Sequence, residues 1–278
     1  MINTYFYDPA EILDITIQKG MLKVANPVWK QFILGFSAGA FVGFAGSGAN
    51  MAAFGLLADP AYYGLGKLVS GFVFPVGLML ILICGSELFT GNCLITAAVL
   101  EKKVRFSALL KNWFLVYFGN FAGAFTVAFL VVQGGQLEAG SALLGGVTVS
   151  IAYSKMTLGF LQAVMLGILC NWLVCSAVWI CYAAKDVAGT LFAAFFPIML
   201  FAVSSFEHCV ANMYYVPAGL MAKSAERYIA AAGIGTESLA ELTWMNFIFK
   251  NLVPVTIGNI IGGVFFVAVI YTFCYRKR

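Results

Sequence analysis

Phe201-Ala-Val-Ser-Ser-Phe-Glu-His-Cys-Val-Ala-Asn-Met213 sets an adjacent acid and imidazole, Glu207 and His208, in a run (187–222) with no other charged residue. His208 is also the single histidine of the chain. In a bilayer an ionisable side chain is costly without a partner or water, so such residues face a cavity, a pathway or a proton relay. A second acid, Glu87, interrupts the apolar stretch 68–100 within Glu87-Leu-Phe-Thr-Gly-Asn92. As one straight helix that stretch would be about 50 Å long, against about 30 Å of hydrocarbon. Its portion after Glu87 reaches only about 20 Å and cannot cross alone. A span of two half-helices resolves the conflict, with irregular backbone near residues 86–92 that is buried or lines a cavity. Residues 187–222 pose the same problem and predict the same break at 207–212.

Composition sets the surroundings. Of 278 residues 62% are apolar and 10% charged, and the mean hydropathy is +0.93, values that define a polytopic membrane protein. The net charge of +4 is confined to loops and termini and suggests no nucleic-acid partner. Residues 1–30 carry Asp8, Glu11, Asp14, Lys19 and Lys23 instead of an apolar core, so no cleaved signal peptide is expected. Seven cysteines form no Cys-x-x-Cys pair and read as small apolar residues. One histidine makes haem ligation unexpected, and neither a metal nor another cofactor is anticipated.

In chain order, residues 9–23 read as an amphipathic helix at the membrane surface, an anchor or a lid, with Ile12, Ile15 and Leu22 on one side. Gly35, Gly39 and Gly43 in 31–58 form a small-x-x-x-small stripe. A third span follows at 112–137, a Gly-rich loop at 134–155, a fourth span at 157–184, a mixed-charge connection at 223–250 and a last span at 251–275. The chain repeats itself. Glu87 and Asn92 match Glu207 and Asn212, and Lys111-Asn112, Gly119-Asn120 and Gly123 match Lys250-Asn251, Gly258-Asn259 and Gly262. A single domain, 1–278, is therefore expected, with a first repeat at 31–137 and a second at 157–275. Three spans per repeat is odd, so the repeats are inverted and their breaks meet near the midplane. Eleven of the sixteen Lys and Arg residues fall on the side of both termini, which predicts that both are cytoplasmic.

Phe89-Thr-Gly-Asn92, Lys111-Asn-Trp113, Gly167-Ile-Leu-Cys-Asn-Trp172, Phe206-Glu-His208, Ala211-Asn-Met213 and Lys250-Asn-Leu-Val-Pro-Val-Thr-Ile-Gly-Asn259 together closely resemble the formate/nitrite transporter family. The resemblance covers essentially the whole chain. It implies an all-α, aquaporin-like six-span protomer with broken second and fifth helices. It also implies a homopentamer in an inner or plasma membrane, whose protomers each conduct small monovalent anions such as formate, nitrite or hydrosulfide. The family's central histidine falls on His208 and its loop threonine on Thr90. Its lysine, asparagine and glutamate cluster falls on Lys155, Asn171 and Glu207, and its constrictions on Phe74, Leu78, Phe89 and Phe201. Glu87 stands where some members have Asp, and Gly91-Asn92 where others have Ser-Thr, departures that bear on substrate preference.

The chemistry fits those roles. Lys155 attracts an anion while pairing with Glu207, so that the substrate is favoured without being trapped. A carboxylic acid with pKa near 4 is neutral in only about one molecule in a thousand at pH 7, so a proton from His208, or from water it orders, is where the protein can help. Two other readings compete. A neutral-solute or ammonium channel would favour acids and aromatics over Lys155 at its mouth. A membrane enzyme using Glu207-His208 would need a cofactor site or a nucleophile, and the sequence carries no Walker loop.

Overall fold

The computed structural model describes residues 5–276. Helices Val28–Leu57, Phe106–Gln133, Phe160–Cys181 and Trp244–Tyr275 are each long and apolar enough to cross a bilayer, as is Pro60–Ile83. They form the first, third, fourth and sixth spans and the first half of the second. The second span continues after a break as Gly91–Leu100, and the fifth is Val187–Val203 followed by Cys209–Ala222. Large apolar side chains such as Phe44, Phe72, Phe114, Phe192, Phe196 and Phe273 point outward, as expected of walls that face lipid or neighbouring apolar surface.

The two breaks have one geometry. Each helix stops in a left-handed residue, Gly85 at φ +72° and Ser205 at φ +57°. Ser86 N then donates to Ile81 O at 2.9 Å, and Phe206 N to Phe201 O at 3.1 Å. Each acid's backbone bonds to the helix beside it, Glu87 N to Leu34 O and Glu207 N to Leu166 O. An asparagine splints each extended segment. Asn120 takes a bond from Phe89 N and donates to Gly35 O and Glu87 O; Asn259 takes one from Cys209 N and donates to Gly167 O and Glu207 O. In hydrocarbon every backbone group must find a protein partner, and these two buried amides supply partners for the non-helical residues.

Glycine lets the third span approach the first. A Cβ on Gly39 would lie 2.0 Å from Asn120 O, and one on Gly123 would lie 1.9 Å from Phe36 O. The fourth and sixth spans repeat the contact, with Gly262 2.3 Å from Ile168 O by the same measure. Backbone cannot yield as a flexible side chain does. Gly123→Ala is therefore expected to force the helices apart at about 3 kcal/mol or more, read as a lost or broadened size-exclusion peak and a lowered melting temperature in detergent.

Three expectations need correction. Residues 143–156 are helix, Leu143–Met156, and not loop, with Lys155 in the last turn. The glycines there serve packing, since a Cβ on Gly145 would meet the Tyr228 ring at 2.2 Å and one on Gly146 the backbone of Ala231 at 2.6 Å. The amphipathic helix Pro9–Ala25 docks on protein: Ile12 and Leu13 are buried with Ala97 and Trp179, while Leu22 is exposed. The sixth span begins at Trp244, not at 251, and includes π-helical turns at Phe247–Leu252 and Val264–Val269. In the connection before it lie the short helices Glu226–Ala232 and Thr236–Ala240.

Candidate functional site

Where the breaks meet, Thr90 Oγ1 lies 2.9 Å from His208 Nε2, both residues buried. The other ring nitrogen is committed. His208 is the N-cap of Cys209–Ala222, and its Nδ1 accepts from Ala211 N at 3.0 Å. In this geometry a neutral ring carries its proton on Nε2, facing the threonine. Thr90 is fixed from behind, because Asn171 Nδ2 and Cys175 Sγ both donate to its carbonyl, each at 3.2 Å. Asn171 also bonds Asn259 O at 2.7 Å, tying the threonine to the splint of the opposite break.

Beside this pair stand two lysine–glutamate–asparagine clusters. Lys155 Nζ is 3.0 Å from Glu207 Oε1, and Asn212 Nδ2 donates to Glu207 Oε2 at 2.7 Å and to Asn251 Oδ1 at 2.8 Å. On the other repeat Lys23 Nζ is 3.0 Å from Glu87 Oε2, and Asn92 Nδ2 donates to Glu87 Oε2 at 2.7 Å and to Asn112 Oδ1 at 2.9 Å. Hydrogen bonds to the remaining lone pairs are what make buried ion pairs tolerable. The copies differ at the lysine. Lys23 also reaches Asn92 Oδ1 at 2.7 Å, whereas Asn212 Oδ1 has no partner and Lys155 lies 5.5 Å over the Tyr215 ring.

A cavity of about 560 Å³ opens on the Lys155 side and is lined by Lys155, Glu207, His208, Phe74 and Phe201. Phe74 and Phe201 meet edge to face at 5.6 Å, and the Phe201 ring stacks on His208 at 5.8 Å. The two phenylalanines thus stand at the floor of the cavity, beside the imidazole. Leu78 and Phe89 are buried away from it. Phe89 packs edge to face on Tyr117 at 4.9 Å and on Trp113 at 5.8 Å, which puts the two expected constrictions in different surroundings.

Sequence reading overlooked Lys23 as a site residue. Its signal was present: Lys23 precedes Gly35 by twelve residues, as Lys155 precedes Gly167. The repeated contacts accordingly include Pro9–Ala25 and Leu143–Met156, the helices that carry the lysines.

Two broken spans with a polar junction in an apolar helical shell define a multi-pass membrane protein of the channel and transporter class. Comparison with known proteins is specific: the formate/nitrite transporter family model matches residues 10–273, and the chain belongs to that family. It is 38% identical over 287 residues to the probable formate transporter of Methanothermobacter thermautotrophicus, covering 98% of each chain. Identity to the formate channel FocA of Escherichia coli K12 is 36% over 272 residues, 97% of this chain and 95% of FocA. Among solved structures, a pentameric formate channel with formate bound matches with TM-score 0.77 and 36% identity, over 90% of this chain and 98% of that one. An FNT family ion channel matches with TM-score 0.80 and 26% identity, over 95% and 98%.

Proposed function

We propose that this chain is a homopentameric transporter of small monovalent weak-acid anions, formate first and nitrite or hydrosulfide next, that couples passage to a proton at His208. The observation that carries the reading is the Thr90–His208 contact, held at the junction of two breaks, with His208 lining a cavity beside Phe74, Phe201 and Lys155. Similarity to a pentameric formate channel with formate bound, and the outward aromatic faces of the spans, support the assembly. Lys155 draws the anion in, and Glu207 tempers its field. Asn171 holds Thr90 in place for the transfer. Leu78 and Phe89 belong to the constriction on the far side of the histidine. The protein sits in the inner or plasma membrane among lipid, with both termini cytoplasmic and with repeats at 31–137 and 157–275 behind the segment 1–30.

Proton transfer follows from the ring's contacts. A second proton on the imidazole goes to Nδ1 and displaces the bond from Ala211 N. The cation then passes its Nε2 proton to Thr90 Oγ1 as the Thr90 hydroxyl proton moves to the carboxylate, which leaves as neutral acid; water returns a proton to Nε2 as Nδ1 releases its own and recovers the bond from Ala211 N. Thr90 accepts from Nε2–H and offers its own hydroxyl proton, steadying the anion before transfer.

Side-by-side uptake of formate, nitrite, hydrosulfide, lactate and ammonium into liposomes tests the reading. Formate uptake well above lactate and ammonium is expected, whereas preferential ammonium uptake would support the cation-or-neutral alternative and sink this one.

A further inference from the structure

The cavity lining includes three charged side chains among the described residues, Lys67, Lys155 and Glu207. Glu207 offsets much of the Lys155 charge at 3.0 Å. Lys67 makes no hydrogen bond and no ion pair among the described residues, although it feels both Lys155 and Glu207. The uncompensated positive charge of the cavity is therefore that of Lys67. Asn50 lines the same cavity, is 3% exposed, and its Nδ2 is buried with no hydrogen-bond partner. An unsatisfied buried amide is costly, and a half-rotation about Cβ–Cγ exchanges its nitrogen and oxygen. Either orientation leaves hydrogen-bonding capacity that no protein group uses.

The two residues are neighbours along one path. The helices on either side of Asp59 run antiparallel, since Gly66 abuts Leu57 and Gly48 abuts Val73. That register sets Asn50 level with residues 70–74, where Ser70 and Phe74 line the cavity, and Lys67 about 7 Å further out at 1.5 Å per residue. A cation outside, then an amide donor, then the Phe74–Phe201 pair is the order an incoming anion would meet.

We propose that Lys67 and the amide of Asn50 form an anion-binding subsite, separate from the Lys155–Glu207 pair, that takes small monovalent oxyanions such as a carboxylate before they reach Phe74 and Phe201. The proposal rests on the transport reading above and adds to it the residues that load the cavity. The free lysine supplies attraction and the amide a directed hydrogen bond. Because neither residue carries a second anion-pairing duty, the subsite binds without breaking an existing ion pair.

Line broadening of carbon-13 formate by the purified protein in detergent tests binding, and formate uptake into liposomes tests its use. Wild-type protein should broaden the line saturably. Lys67→Gln should raise the half-saturating formate concentration about tenfold and flatten its dependence on ionic strength; Lys67→Arg should retain most binding, and Asn50→Leu should raise half-saturation about threefold. Uptake should show the same shifts in half-saturation with a smaller change in maximal rate. If wild type broadens no line, or if Lys67→Gln and Asn50→Leu, each eluting and melting like wild type, titrate as wild type does, the subsite does not exist. Should wild type bind formate through these residues yet transport none, the transport reading fails and the subsite stands.

Discussion

Formate uptake by His208→Asn is expected to lose its rise with acidity, falling about a hundredfold at low pH, the lower end of the effect of removing a positioned proton donor. Asparagine is a good N-cap, so the bond to Ala211 N is replaced and the helix Cys209–Ala222 keeps its start. Its amide can donate toward Thr90 but cannot titrate, and the variant is expected to pass the ionic form. His208→Phe keeps the volume and the stacking on Phe201 while losing both the cap and the donor, so flux should fall at every pH and the protein should melt lower by an amount corresponding to about 1 kcal/mol for the cap. Comparing the two variants separates protonation from capping. A common pH profile for wild type and both variants would leave the histidine as packing.

Lys155→Ala is expected to do more harm than the loss of one attracting charge. Glu207 is nearly buried and has Asn212 as its other side-chain partner, so the truncation strands a carboxylate. Breaking a buried pair from one side costs about 3–5 kcal/mol; Lys155 keeps 15% of its side-chain surface, which favours the lower figure. Anion flux should fall and the melting temperature with it. Lys155→Ala combined with Glu207→Gln should recover the stability but not the flux, since it removes the stranded charge without restoring the attracting one. Recovery of both by the double variant would mean that the pair is structural only. Lys23 and Glu87, bound in the same way on the other repeat, are the natural control for stability.

Much of this was legible in the sequence because membrane crossing imposes length. Acids at Glu87 and Glu207 in runs too long for one helix and too short for two left a break as the available solution, and the repeated Glu-x-x-x-x-Asn pattern told that the solution is used twice. Asn120 and Asn259 stood out at equal spacing, but their task of bonding the broken backbone depends on which helices become neighbours, and only the folded chain tells that. Leu143–Met156 was misread as loop because Gly145 and Gly146 signal flexibility in a sequence and close packing in a structure. With that helix hidden, its likeness to Pro9–Ala25 and the role of Lys23 were hidden too. Lys67 and Asn50 escaped for a different reason. Having no partner is a property of surroundings, and no spacing rule reports it.

Passage of formate with a proton, as neutral acid, is the central claim, and it is tested most directly by measuring uptake under separately imposed pH and voltage gradients. Liposomes carrying the protein, with potassium and valinomycin setting the voltage and a trapped dye reporting internal pH, allow each gradient to vary alone. Neutral-acid passage predicts that formate accumulates along an inwardly directed proton gradient, acidifies the interior as it enters and ignores the voltage. Formate flux that follows the voltage, ignores the pH gradient and leaves the interior unacidified would contradict it.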